Sequence, residues 1–186
     1  MIRRLCAAIA LAGALSACSP KAEGPPPDPR LDKLFVELRG APDAEAALKI
    51  ETQIWERWRS SGSPTVDILL ERATIAQAHG QPDLALQLLD EAEGLAPDFA
   101  EIWNRRAAIA YEMEDRAAAL QAIHETLTRE PRHFGALAGL GLIFETLGKQ
   151  DAALEAYEAA LKQHPHFEPA RQGQMRLKSK IAGREA

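Results

Sequence analysis

The chain has 186 residues, a formal charge of −5 and 5% aromatic residues. That length suits one domain of ordinary size, and few aromatics beside abundant alanine favour close-packed helices over sheets. The acidic balance excludes the basic stripe of a nucleic-acid binder, so no nucleic-acid partner is expected.

Residues 1–17 read as a signal peptide. Arg3 and Arg4 form a positive n-region, and the apolar run Leu5 to Leu15 is too short to span a bilayer in the mature protein. The run ends at Leu15-Ser16-Ala17-Cys18. This resembles the lipobox of bacterial lipoproteins. The resemblance implies that Cys18 becomes the first mature residue and carries the acyl chains that hold the protein on an envelope membrane, facing the periplasm. Ordinary cleavage after Ala17 is the alternative and gives a soluble periplasmic protein. Ser19 stands where lipoproteins kept in the inner membrane of enteric bacteria tend to carry aspartate, which leans toward the outer membrane. Loss of residues 1–17 removes two of the 22 basic residues and none of the 27 acids, moving the formal charge from −5 to −7. Residues 18–29 follow as a tether. Five prolines between Ser19 and Pro29 favour an extended chain of ~3.1 Å per residue, or roughly 30 Å in all.

Residues 30–65 predict a helix pair outside the pattern that follows. Leu31, Leu34, Phe35 and Leu38 mark one apolar face, and Ala47, Ile50, Ile54, Trp55 and Trp58 another. Asp43 is placed to cap the second helix. The pair is expected to pack on the first repeat, with Trp55 and Trp58 either sealing that end or forming a ligand platform.

From Val66 to Pro165 one pattern is written three times. Pro97, Pro131 and Pro165 are 34 residues apart, as are Ala85, Ala119 and Ala153. Leu69, Trp103 and Leu137 share the register, as do Ala73, Ala107 and Gly141. Each unit holds two amphipathic stretches. The turn between them is Gly80-Gln81 in the first unit, Glu114-Asp115 in the second and Gly148-Lys149 in the third. Period and residue types resemble the tetratricopeptide repeat (TPR) family. The resemblance implies an all-α, right-handed α-solenoid of antiparallel helix pairs. Its three units span residues 66–99, 100–133 and 134–166, after the N-terminal pair and before a C-terminal capping helix over residues 167–186. Small residues keep the helices of a unit close, and Gly141 is expected to meet Ala153.

The same resemblance places a concave groove on the first helix of each unit. Carried onto this chain, its lining includes Glu71 and Thr74, then Glu101, Asn104, Arg105, Ala108 and Tyr111, then Gly135, Ala138, Gly139, Leu142 and Glu145. Of the positions at which chaperone-binding members clamp a C-terminal carboxylate, Arg105 alone carries a cation, so that subclass is not expected. Gly135 and Gly139 each weaken a helix; they signal either close approach of a ligand or a weak helix. Arg72 and Arg106 stand where the family packs an apolar side chain. Either their heads reach nearby acids such as Glu71 or Glu101, or they form a specificity ladder for a partner.

The tail supplies Phe167, Ala170, Met175, Leu177 and Ile181 as apolar positions under a basic face that includes Arg171 and Arg176. His164-Pro165-His166 lacks a third ligand nearby in sequence, so no metal or cofactor is expected. No catalytic motif stands out. The expectation is a non-catalytic adaptor of the bacterial envelope that grips a periplasmic protein partner in its groove. The alternatives are a self-associating structural lipoprotein, hence a homo-oligomer, or a regulatory subunit of an envelope hydrolase or assembly machine.

Overall fold

A computed structural model describes residues 28–185, in which every element is helical. Cys18, residues 1–17 and nearly all of the tether lie outside the described residues. The elements are α1 (Pro29–Arg39), α2 (Ala44–Arg59), α3 (Pro64–Ala78), α4 (Pro82–Leu95), α5 (Ala100–Glu112), α6 (Arg116–Arg129), α7 (Phe134–Thr146), α8 (Gln150–Gln163) and α9 (Glu168–Glu185). Helices α3/α4, α5/α6 and α7/α8 form successive antiparallel pairs, and packing within pairs dominates. The all-α solenoid expected from the repeat is the observed architecture.

Local chemistry sets the helix ends. Asp43 caps α2 by accepting from Ala46 N, and Asp115 caps α6 through Ala118 N. Asp28 does the same for α1 and also binds Arg57 of α2, which clips the pair together. The turns inside the units close in the left-handed region at Gly80 (φ 68°) and Gly148 (φ 72°). In the second unit Glu114 takes that role at φ 62° although it has a Cβ. Asp115 N still reaches Ala110 O at 2.9 Å, so the hydrogen bonds of the turn are made while the residue is strained.

The N-terminal pair is not docked where the sequence order suggests. It packs on the third unit and the adjoining end of the second, where α2 also meets α5, and it shares a core with α9. Leu31, Phe35, Leu38, Ile54 and Trp58 share one buried cluster with Phe134, Ala138, Tyr157, Phe167 and Leu177. The reason lies in the aromatic and histidine partners that collect there. Trp58 stacks on His133 with centroids 4.1 Å apart and planes at 8°. Trp55 lies edge-on to His133 and Phe134. His164 Nε2 meets Glu51 at 2.9 Å, His166 Nε2 meets Ala41 O at 3.1 Å, and Arg132 bridges to Asp32 at 2.6 Å. So Trp55 and Trp58 do seal an end, but of the third unit.

Two further expectations change. The ring of Tyr157, not Ala153, lies closest to Gly141: a Cβ there would sit 2.6 Å from it, and one on Gly173 2.3 Å. Tyr157 is thus wedged between two glycines. Met175 is exposed on α9, whose buried face is made by Ala170 and Leu177 with Phe167 just before it.

Candidate functional site

The concave surface is built from α3, α5 and α7 over a polar layer whose charged groups pair within the chain. Glu101 is buried, accepting from Asn104 Nδ2 at 3.0 Å and Arg105 Nε at 3.1 Å. Arg105 then reaches back to the first unit, donating through Nη1 to Leu70 O and the Thr74 hydroxyl. The acid and arginine expected to face a partner are therefore mortar between units. Buried charges persist when paired and hydrogen-bonded in this way. On the far side His133 caps α7, its Nδ1 accepting from Ala136 N at 3.0 Å. A nitrogen that accepts is unprotonated, so in a neutral ring the proton sits on Nε2, which points toward Glu101 at 3.6 Å.

Above this layer a cavity of about 250 Å³ opens between α5 and α7. Ala108, Tyr111, Gly139 and Leu142 line its walls, with Asn104 and Glu112 as polar members. Gly139 keeps the floor low, since an added Cβ would touch only Ile123, at 3.6 Å. Tyr111 is held by Arg116, whose guanidinium lies 4.3 Å over the ring and donates to Tyr111 O. Glu112 accepts from Gln77 of the first unit at 2.9 Å, and Glu71 is exposed beyond it. Glu112 was not among the expected lining; the turn-end position of α5 brings it to the rim.

The other end of the groove is closed. Trp55 of α2 lies over Gly135, where a Cβ would come within 2.9 Å of its ring, and Ala138 is buried beside it. The close approach signalled by Gly135 is thus made by the chain's own tryptophan. Glu145 accepts from the Tyr157 hydroxyl at 3.0 Å and from Arg176 of α9 at 3.2 Å. Burial would raise its carboxyl, but those two donors outweigh it and hold it below the ordinary value. Arg176 therefore belongs to the groove rim as well as to the basic tail.

The two anomalous arginines part company. Arg106 lies over Trp103 at 5.2 Å and binds Asp90 and Glu93 of α4, each at 2.6 Å. Neither partner is the expected Glu71 or Glu101. Arg72 is exposed.

A repeated helix pair, a concave face and polar contacts between units define an α-solenoid of the interaction-scaffold kind. The tetratricopeptide-repeat family model matches residues 70–115 and 107–166, and the chain belongs to that family. A TPR repeat-containing protein of Rhizobium etli is 38% identical over 157 residues, covering 84% of this chain and 77% of its own. Among solved structures, the first TPR of Spaghetti (RPAP3) bound to an HSP90 peptide superposes with a TM-score of 0.60 at 18% identity. It covers 64% of this chain and 95% of its own. The Sgt2 TPR domain of Aspergillus fumigatus gives 0.60 at 22% identity over 66% and 83%, and MamA 0.58 at 22% over 81% and 86%. At these identities the likeness is one of fold. No described helix is long and apolar enough to cross a membrane.

Proposed function

We propose that the protein is a non-catalytic adaptor of the bacterial cell envelope, anchored through Cys18 and binding a segment of a periplasmic protein in the half-open groove. The observation that carries the binding role is the apolar cavity between α5 and α7, set on a polar layer whose charges are already paired. Such a layer holds its shape without a ligand, and a preformed site loses less freedom when it binds. Ala108, Tyr111, Gly139 and Leu142 supply the apolar contact, while Glu71 and Glu112 favour a basic residue beside the anchoring side chain. Glu101, Thr74 and Arg105 act from beneath by fixing the first unit to the second. The lipobox supports the anchor and the Pro-rich tether supports reach from the membrane.

A photo-crosslinking residue at Ala108, placed in cells, is expected to trap one dominant partner. Leu142→Asp should abolish that product while leaving the helical signal intact. An undiminished product would reject the groove. For the anchor, Cys18→Ala should move the protein out of the membrane fraction and remove the acyl mass; an unchanged distribution would reject lipidation.

A further inference from the structure

The three units present the same positions 34 residues apart, so each reports what its neighbours would meet. In the second unit Ile102 and Ile109 are 0% and 1% exposed, covered by the preceding pair. In the third, Ala136 and Ile143 are 2% and 1% exposed. Their counterparts in the first unit, Ile68 and Ile75, are 50% and 51% exposed. Among the described residues no helix precedes α3 in the stack, because α2 is docked farther along, on the third unit and the adjoining α5.

Between each pair of isoleucines sits an arginine, Arg72 on α3 and Arg106 on α5. Arg106 shows what that position takes: two carboxylates three residues apart, Asp90 and Glu93, on the helix before it. Arg72 is exposed and, among the described residues, has no acid within ion-pair distance. Asp67, one turn earlier, is engaged with Ser61. The edge of α3 thus repeats the two isoleucines and the arginine of the edge of α5, with no described helix over them.

We propose that this edge docks an amphipathic helix of a partner protein, bearing two acidic residues three apart beside an apolar stripe. It would lie on α3 as α4 lies on α5 and extend the solenoid by one helix. Apolar burial of Ile68 and Ile75 supplies the drive. Arg72 supplies the register, because only one placement of the acidic pair meets its guanidinium. The surface is separate from the concave groove, and it stands or falls independently of it.

The probe is a synthetic peptide with the α4 sequence, residues 82–95, held helical by a lactam on its outward face, since an isolated helix of this length is marginal in water. It is titrated into the full chain carrying labelled isoleucine methyls. The Ile68 and Ile75 methyls should shift saturably while Ile102 and Ile109 stay unmoved. Arg72→Glu should weaken binding about tenfold, the scale of one charge-assisted contact. A peptide with both acids changed to arginine should bind the natural chain poorly and recover on Arg72→Glu. No saturable shift at millimolar peptide, or indifference to Arg72→Glu, overturns the proposal. So do shifts confined to Ile102 and Ile109, which mean displacement of α4. Shifts of Ile68 and Ile75 that follow the chain's own concentration without peptide overturn it as well, by placing a second copy on the edge.

Discussion

The two ends of the array are finished by different means. At the third unit, Phe35, Trp58, Phe134, Tyr157 and Phe167 form one continuous cluster, covered on one side by α1 and α2 and on another by α9. At the first unit the core is aliphatic, built on Val66, Leu69, Leu70 and Leu89, and no described helix covers its outer edge. The register is the same at both ends. A repeat array is quasi-one-dimensional, so the state of a position depends on whether a neighbour covers it. Here the neighbour that chain order would give to the first unit has been recruited by the last.

The largest test of that contrast is Trp58→Ala, which removes the ring stacked on His133 and should cost about 3–5 kcal/mol. Amide exchange should show α1 and α2 losing protection while α3 to α6 keep theirs. Equal loss in α3 would break the separation of the two ends. Next comes Gly141→Val. Tyr157 cannot retreat, since Gly173 backs its other side, so overpacking should cost about 2–3 kcal/mol in urea denaturation. Gly139→Ala, with only ordinary contact at its Cβ, should instead gain up to about 1 kcal/mol from helix propensity.

Acid should loosen the closed end first. The His164 hydrogen bond holds the Glu51 carboxyl below its ordinary value against the opposing effect of burial. A depressed carboxylate stabilises fully above its unfolded pKa, and that contribution fades as pH falls through the folded one. Tryptophan fluorescence should therefore report release of α2 on acidification below the ordinary carboxylate range, and Glu51→Gln should flatten that part of the curve. Glu114→Gly should relieve the left-handed strain in the middle turn and raise stability by about 1 kcal/mol. Smallest of all, Arg106→Leu should change stability by less than about 1 kcal/mol. The part-exposed ion pairs it loses are weak, and Leu140 occupies the same register in the third unit.

Much of this was written in the residues. The 34-residue spacing of Ala85, Ala119 and Ala153 reports helix crossings, because close approach allows only small side chains there. Asp43 was legible as a cap because capping is local. Glu101 and Arg105 were placed on the correct helix, but their concealment was not legible. It depends on Leu70 O and Thr74, 31 to 35 residues earlier. His133 gave no sign of being a cap, since an imidazole does so only when packing fixes its ring.

By itself the sequence determined the helices and their pairing, which follow from periodicities along a single chain, and its family resemblance implied the concave face. Where α1 and α2 dock was decided only in three dimensions. Their apolar faces would satisfy any exposed helix edge. What selected the third unit was the meeting of Trp55 with Gly135, Trp58 with His133 and Glu51 with His164, contacts between residues about 75 to 113 positions apart. Local patterning carries no information about such pairs. It is the same choice that leaves half of the groove closed and the edge of α3 open.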